Sequence, residues 1–237
     1  MADKKIEKAL YGPSLTEVAL GAVLGLLAGV LTACVYLVMF KPVMTVKELP
    51  KEPVRGMIYY IPGAESNAKG RTWTAKQKSF IGGANVVLVE EELNAWAASA
   101  FSGAPAKPAG PAKKDAASAP APAGPALDGI FNPGNPNFKI ANGKLQIGTK
   151  VILNWYGLTK EVMLVTTGDI VRSGDKFKYS ANTLYLGSCP VHMLPAVAGP
   201  LMSTLMDKKK APDDINSAWA KLNDVEIEGN TLKLTVQ

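Results

Sequence analysis

The most restrictive feature of the sequence is the stretch 18–40, which contains no residue that is charged at neutral pH. A helix rises about 1.5 Å per residue, so this stretch would extend over roughly 35 Å, enough to cross a hydrocarbon core of about 30 Å. A core helix of a soluble protein would normally show a polar face, and this stretch shows none. We therefore expect residues 1–17 to form an N-terminal tail and residues 18–40 to form a transmembrane helix.

Small residues recur on one side of this expected helix. Gly21, Gly25 and Gly29 are four residues apart, and Ala33 continues the same register. In lipid, the close approach of two backbones is a main source of helix association, and small residues permit it. The pattern predicts a packing face for another transmembrane helix, in a homodimer or in a larger complex. Glycine and alanine are common in transmembrane helices in general, so an ordinary lipid-facing surface is the alternative.

Cys34 offers a second type of anchor, because Leu31-Thr32-Ala33-Cys34 fits the lipobox pattern of bacterial lipoproteins. Cleavage and lipidation of Cys34 would then replace the helix. The apolar run continues after Cys34, however, whereas a mature lipoprotein usually begins with a polar tether. The length of the run favours an intact helix over a cleaved signal.

The charges beside the expected span do not determine its orientation. Three cations precede the span, and Lys41, Lys47, Lys51 and Arg55 follow it, so counting positive charges does not assign the two ends to the two sides of a membrane. A large domain after a single N-terminal span translocates largely regardless of its charge. We expect a bacterial single-pass protein whose folded part lies on the periplasmic or extracytoplasmic side, with membrane lipid as a partner of these cations. The basic residues are not interleaved with aromatic residues, so no binding to nucleic acid is expected.

The sequence contains one histidine and two cysteines, which excludes several kinds of site. A multi-histidine metal site, a four-cysteine zinc site and a disulfide framework are all ruled out. Cys189 has no cysteine partner in the expected soluble part. Cys189 could act as a nucleophile with His192 as its base. The two residues are three positions apart and Pro190 lies between them, and this spacing rarely directs two side chains toward each other. We expect no catalytic residues, no metal, no cofactor and no enzymatic activity.

Composition divides the soluble part into two pieces. Residues 102–127 are rich in alanine and proline, which leaves little to bury, so we expect a flexible insertion there. The first piece, 41–101, is too short to be comfortably stable alone. We therefore expect residues 41–101 and 128–237 to form one domain that the insertion interrupts.

Two helices are predicted before the insertion. Trp73, Phe80 and Ile81 share one face of the first helix. The acidic residues 90–92 begin the second helix, where the helix dipole favours negative charge, and Leu93 and Trp96 face its buried side. Consecutive helix positions point in different directions, so the three carboxylates are not expected to converge on a metal or substrate.

After the insertion, apolar and polar residues alternate with a period of two. Asn142 and Gly143 give the strongest short signal for a hairpin. Residues 161–171 are apolar on both faces, and residues 224–237 are expected to form a final hairpin. The sequence thus predicts an α+β fold, in which one N-terminal transmembrane helix is followed by an antiparallel meander sheet with helices packed on one face.

A methionine-rich segment lies between the expected strands and contains Pro200, which should bend it. Its apolar positions are Met193, Val197, Leu201, Met202 and Leu205. Flexible methionine side chains suit a pocket for acyl chains or an adaptable docking surface. Ordinary core packing is the alternative.

The order of these elements resembles the YpmS-like family of bacterial single-pass membrane-anchored proteins. The resemblance rests on Glu91-Glu92-Leu93-Asn94, on Leu184-Tyr185-Leu186-Gly187 before a proline-flanked helix, and on the closing hairpin. The alanine and proline insertion and the helix around Trp73 depart from that pattern. The resemblance implies an anchored extracytoplasmic domain that contacts lipid, and it carries over no catalytic residues.

These observations lead to two hypotheses about function. The first is a membrane-anchored, non-enzymatic domain that binds an apolar ligand or a protein partner near the bilayer through the methionine-rich segment. The second is an accessory subunit of a membrane protein complex that docks through its transmembrane helix.

Overall fold

The computed structural model describes most of the chain on both sides of the expected insertion. The described residues are 12–66, 69–101, 130–155, 157–174, 176–208 and 211–236. The expected insertion 102–127 and most of the expected N-terminal tail lie outside them.

The first helix, α1 (Leu15–Phe40), contains the uncharged stretch. Glu17 N donates to Ser14 Oγ and Ser14 N donates to the Glu17 carboxylate, both at 3.3 Å, so a capping box starts the helix before the uncharged residues. The most apolar part of α1 has a mean hydropathy of 2.4 and is not buried against the rest of the protein. The helix is long and apolar enough to cross a membrane.

Both helices and strands follow α1 in the described part of the chain. The other helices are α2 (Lys69–Ile81), α3 (Glu90–Ala100), α4 (Pro195–Lys208) and α5 (Asp213–Trp219), with a 3₁₀ turn at Val191–Met193. The strands are β1 (Met44–Thr45), β2 (Tyr59–Tyr60), β3 (Val86–Val89), β4 (Phe131–Ala141), β5 (Lys144–Trp155), β6 (Leu158–Ser173), β7 (Lys176–Leu186), β8 (Cys189–Pro190), β9 (Leu222–Glu228) and β10 (Thr231–Val236). Pro200 lies inside α4 and does not end it.

The strands β4 to β8 form an antiparallel meander in chain order, which confirms the α+β fold. Asn142 and Gly143 connect β4 to β5 with positive φ angles of 55° and 69°. A two-residue hairpin turn of this kind needs positive φ at both positions, which explains the Asn-Gly pair.

The final hairpin does not extend the meander. The strands β9 and β10 pair instead with β3, in the order β3-β10-β9. Leu232 lies opposite Leu88, and Leu234 lies opposite Val86, and all four side chains are buried. Residues from either side of the expected insertion therefore share one small sheet.

The outer face of the meander is covered by the segment that follows α1. Val43 and Tyr60 pack on Val165, while the helices and the small sheet cover the opposite, inner face. A Cβ atom at Gly148 would collide with the Tyr60 ring, so only glycine fits under that ring. Because both faces are covered, the central strand β6 is apolar on both sides, as its sequence indicated.

Buried polar side chains attach α3 to β4. Glu90 accepts hydrogen bonds from the backbone N–H groups of Ala64 at 2.5 Å and Ile140 at 3.0 Å. Asn94 Nδ2 donates to Phe138 O at 2.9 Å, and Asn94 Oδ1 accepts from Phe138 N at 2.6 Å. These bonds fix the position of α3 over the inner face of the sheet.

The adjacent carboxylates of α3 act at different places, as expected. Glu92 accepts from Val89 N at 3.1 Å, which caps the helix, and from Lys76 Nζ at 2.7 Å, which joins α3 to α2. Glu90 and Glu92 therefore stabilise the helix start rather than form one site.

The last turns of α1 pack on the domain. Cys34, Leu37 and Val38 contact a cluster of buried residues that we call the junction cluster: Phe131, Val151, Leu164, Leu184, Cys189, Val191 and Leu201. Ser188 N donates to Lys41 O at 2.9 Å at the end of the helix. The apolar helix and the domain are thus in direct contact.

Cys189 has a cysteine neighbour on α1, outside the soluble part in which no partner was expected. The docked end of α1 brings Cys34 beside it, and burial together with this neighbour raises the pKa of Cys189 to about 12. Gly187 permits the approach, because it has a φ of 58° and a Cβ there would lie 3.1 Å from Val38 Cα.

Candidate functional site: an apolar cavity

A cavity of about 590 Å³ lies on the inner face of the meander. The sheet forms one wall, and α2, α3, α5 and the small sheet form the opposite wall. Pockets that hold small organic ligands measure roughly 300–1,000 Å³, so the cavity is of ligand size.

The walls are predominantly apolar. The meander contributes Pro133, Pro136, Phe138, Leu145, Ile147, Thr149, Leu164, Thr166, Ile170, Phe177 and Tyr179. The opposite wall contributes Trp73, Phe80, Val86, Leu88, Leu93, Trp96, Ile215, Trp219, Leu232 and Leu234, and α4 adds Met202 and Leu205. Two exposed residues, Lys178 and Asn216, also belong to the lining, so the cavity reaches the protein surface beside them.

The hydroxyl groups in the wall bond to the protein itself. Thr149 Oγ1 donates to a backbone carbonyl of β4 at 3.1 Å, and Thr166 Oγ1 donates to Thr183 O at 2.9 Å. Tyr179 Oη donates to Leu145 O at 3.2 Å. Burial raises the pKa of Tyr179 to about 12, so its hydroxyl group stays protonated at neutral pH.

Aromatic rings are concentrated where α2 and α3 meet β4. The ring centroids of Trp73 and Trp96 are 5.8 Å apart, and Trp96 also contacts Phe101 at 5.3 Å and Phe138 at 6.2 Å. The Nε1 atoms of Trp73 and Trp96 are buried and have no hydrogen-bond partner among the residues that the structure describes. This end of the cavity is lined by aromatic rings, and the two unpaired Nε1 atoms lie buried behind its surface.

Few polar groups face the cavity. Water is held well only where it finds two to four polar partners, and this wall offers few. The wall therefore matches an apolar molecule better than ordered water.

The candidate residues of the methionine-rich segment separate into three environments. Met202 and Leu205 line the cavity. Leu201 is 5% exposed and belongs to the junction cluster, so ordinary core packing applies to it. Met193 and Val197 are exposed, at 70% and 47%. The segment is therefore part of a cavity wall rather than one continuous contact surface.

The cavity residues on α2, α3 and β5 were expected only as core residues. Their spacing indicates buried faces, and it does not distinguish a filled core from a gap between two layers. The local signal that could have drawn attention to this end is the occurrence of two tryptophans, Trp73 and Trp96, on successive helices.

The small residues of α1 remain open on the helix surface. A Cβ atom built at Gly21, Gly25 or Gly29 would meet no atom within 4 Å, and Ala33 is exposed. At about 100° per residue, this stripe points roughly opposite to the side of α1 that contacts the domain. The packing face and the lipidation of Cys34 both stay predictions.

His192 is hydrogen-bonded to the backbone of Leu184 rather than to Cys189. His192 Nδ1 lies 3.1 Å from Leu184 O, and the His192 ring packs edge-on against Tyr185. A raised pKa keeps the Cys189 thiol protonated, whereas a nucleophilic cysteine needs a lowered one. No cluster of three or more metal-ligating side chains occurs within the described ranges.

Comparisons with protein-family models, with curated proteins and with solved structures found no match for the chain. The resemblance to the YpmS-like family therefore rests on the short motifs alone.

Proposed function

We propose that the protein is a membrane-anchored, non-enzymatic domain that binds an apolar ligand in the cavity. The observation that carries this proposal is the apolar space of about 590 Å³ that lies between two packed layers and opens to the surface beside Lys178 and Asn216. The hydroxyl groups of Thr149, Thr166 and Tyr179 in its walls are bonded to the protein, which favours binding over chemistry.

The position of α4 supports membrane lipid as the source of the ligand. Met202 and Leu205 line the cavity, and the same residues pack on the junction cluster that contacts α1. If α1 spans the bilayer, α4 lies between the membrane surface and the cavity. Exposed Met193 and Val197, just before and at the start of α4, would then face the lipid headgroups or acyl chains.

A pair of variants on one strand tests the cavity. Ile147→Phe enlarges a side chain that lines the cavity, whereas Ile152→Phe makes the same change on the opposite face of β5. We expect Ile147→Phe to weaken binding of the fluorescent apolar probe N-phenyl-1-naphthylamine by about tenfold or more, since overpacking costs about 1–3 kcal/mol. Ile152→Phe should bind as the unaltered chain does. Equal affinities in the two variants would contradict binding in the cavity.

The second candidate is an accessory subunit, and the open stripe of α1 favours it. Because the stripe faces away from the domain, another transmembrane helix can reach it without a clash. Gly25→Leu should remove a stoichiometric partner, or a second copy of this chain, that co-purifies in mild detergent. Val23→Leu, on another side of α1, is the control. Retention of the partner in Gly25→Leu would show that the partner does not bind to this face of α1.

We also propose that the domain lies outside the cytoplasm, on the strength of the single N-terminal span. Cys189 is too deeply buried for its labelling to show on which side of the membrane the domain lies, so a thiol at an exposed position is needed. In a chain with Cys34→Ala and Cys189→Ala, Ser180→Cys introduces a thiol on an exposed part of β7. An impermeant maleimide should label this thiol in intact cells. Labelling only after lysis would place the domain in the cytoplasm.

A further inference from the structure

The two cysteines of the chain meet where α1 docks on the domain. Cys189 is 2% exposed and belongs to the junction cluster, and Cys34 on α1 is half-buried and packs against this cluster. The thiol groups of Cys34 and Cys189 are hydrogen-bonded to each other. Both cysteines are free thiols in the structure, and the sequence contains no third one. Two thiols that are distant in sequence are therefore adjacent in space.

The backbones beside this pair are in direct contact. A Cβ atom at Gly187 would lie 3.1 Å from Val38 Cα, and Cys34 lies one helix turn before Val38. Ser188 N donates to two carbonyl groups in the last turns of α1, at 2.9 and 3.4 Å. A disulfide needs two Cα atoms about 4.4–6.8 Å apart, so elements in backbone contact satisfy its main geometric requirement.

The position of Cys34 along α1 places it at the edge of the bilayer. Because Cys34 contacts the domain, the hydrocarbon core extends along α1 only as far as the residues just before it. Residues 15–33 still extend over about 28 Å, close to the thickness of a hydrocarbon core, about 30 Å. A water-soluble reagent on the side of the domain can therefore approach the half-buried Cys34, whereas Cys189 lies behind it.

We propose that Cys34 and Cys189 form an intramolecular disulfide bond, made by exchange with an oxidant that itself carries a disulfide, and that this bond fixes the end of α1 to the domain. The proposal rests on the extracytoplasmic position proposed above, because disulfides form and persist in oxidising compartments. Met202 and Leu205 of the cavity wall pack on the same junction cluster, so the bond would also hold that wall beside α1.

The bond forms in two exchange steps. The Cys34 thiol loses its proton and its sulfur attacks one sulfur of the oxidant, whose S–S bond breaks and releases one thiol. The Cys189 thiol then loses its proton, its sulfur attacks the Cys34 sulfur, and the second thiol of the oxidant leaves. The two cysteines give up two electrons and two protons, and the oxidant is reduced from a disulfide to two thiols. Because burial raises the pKa of Cys189, the second step should be the slow one and should become faster as the pH rises.

The first experiment counts free thiols in the full chain taken directly from cells. Acid precipitation stops exchange, and the denatured chain is labelled with maleimide before and after reduction and weighed by mass spectrometry. We expect no label before reduction and two labels after it. The matched control combines Cys34→Ala with Val35→Cys, because Val35 is the next residue on α1 and is 46% exposed. In this control, Cys189 should be labelled without reduction.

The second experiment treats the purified, reduced chain in mild detergent with oxidised glutathione. The unaltered chain should lose both thiols and keep no glutathione. Cys189→Ala should keep one glutathione, bound to Cys34, because the second thiol is missing. Glutathione that stays bound to the unaltered chain, or an absence of reaction at Cys34, would show that the two exchange steps do not occur.

The outcomes separate this inference from the position on which it rests. Two free thiols in the chain from cells, together with labelling of Ser180→Cys in intact cells, would refute the disulfide and leave the extracytoplasmic position standing. Labelling of Ser180→Cys only after lysis, with two free thiols, would refute both. A disulfide between Cys189 and the thiol introduced by Val35→Cys, or a lipid attached to Cys34, would also overturn the inference.

Discussion

Replacing Glu90 with alanine should destabilise the domain through two backbone donors. Glu90 is 8% exposed, and its carboxylate accepts from Ala64 N at 2.5 Å and Ile140 N at 3.0 Å. Glu90→Ala leaves both N–H groups buried without an acceptor, at about 1–3 kcal/mol each, so the free energy of unfolding should fall by roughly 2–6 kcal/mol. Glu90→Gln keeps one carbonyl oxygen and should lose about half as much.

Urea unfolding of the full chain in detergent, followed by tryptophan fluorescence, measures these losses. Glu91→Ala is the matched control, because Glu91 is the adjacent carboxylate of the same helix turn and is only half-buried. A loss in Glu90→Ala within about 0.5 kcal/mol of the control, the usual range for surface substitutions, would refute the claim that these bonds hold α3 on β4. Since α3 carries Leu93 and Trp96, Glu90→Ala should also weaken binding of N-phenyl-1-naphthylamine.

Three further predictions follow from the packing. Burial raises the folded-state pKa of Tyr179 from 10.0 to about 12. Because Tyr179 loses its proton at lower pH in the unfolded chain than in the folded one, the free energy of unfolding should fall between about pH 10 and 12. Tyr179→Phe should make this fall less steep. Gly148→Ala forces a Cβ into the Tyr60 ring and should cost about 1–3 kcal/mol in the same urea assay, and no loss would show that the ring moves freely. Cys189 is buried and should react only slowly with maleimide in the folded, reduced chain. Gly187→Val places a larger side chain against the docked end of α1 and should make this reaction faster. Equal rates would mean that α1 does not shield the thiol.

Local sequence signals predicted the local structure well. The Asn142-Gly143 pair required a two-residue turn, and the structure has it, because few other residues adopt positive φ at both positions. The acidic start of α3 and the period-two alternation of β5 are confirmed for similar reasons. In each case, interactions between residues that are close in sequence are sufficient to determine the local structure.

The parts that depend on distant contacts could not be predicted. Nothing near β10 indicates that it pairs with β3 rather than with β7, since both pairings would bury the same alternating face. The contact between Cys34 and Cys189 depends on how the end of α1 docks. The cavity itself is a gap between two layers, and a side chain that lines a gap has the same periodicity as one that fills a core.

The most direct test of the apolar cavity is native mass spectrometry of the full chain purified from its own membranes in mild detergent. We expect an extra mass close to one apolar molecule per chain, which is lost on unfolding and strongly reduced in Ile147→Phe but retained in Ile152→Phe. A chain that carries no such mass, or carries it equally in both variants, would contradict the claim that the cavity is the binding site.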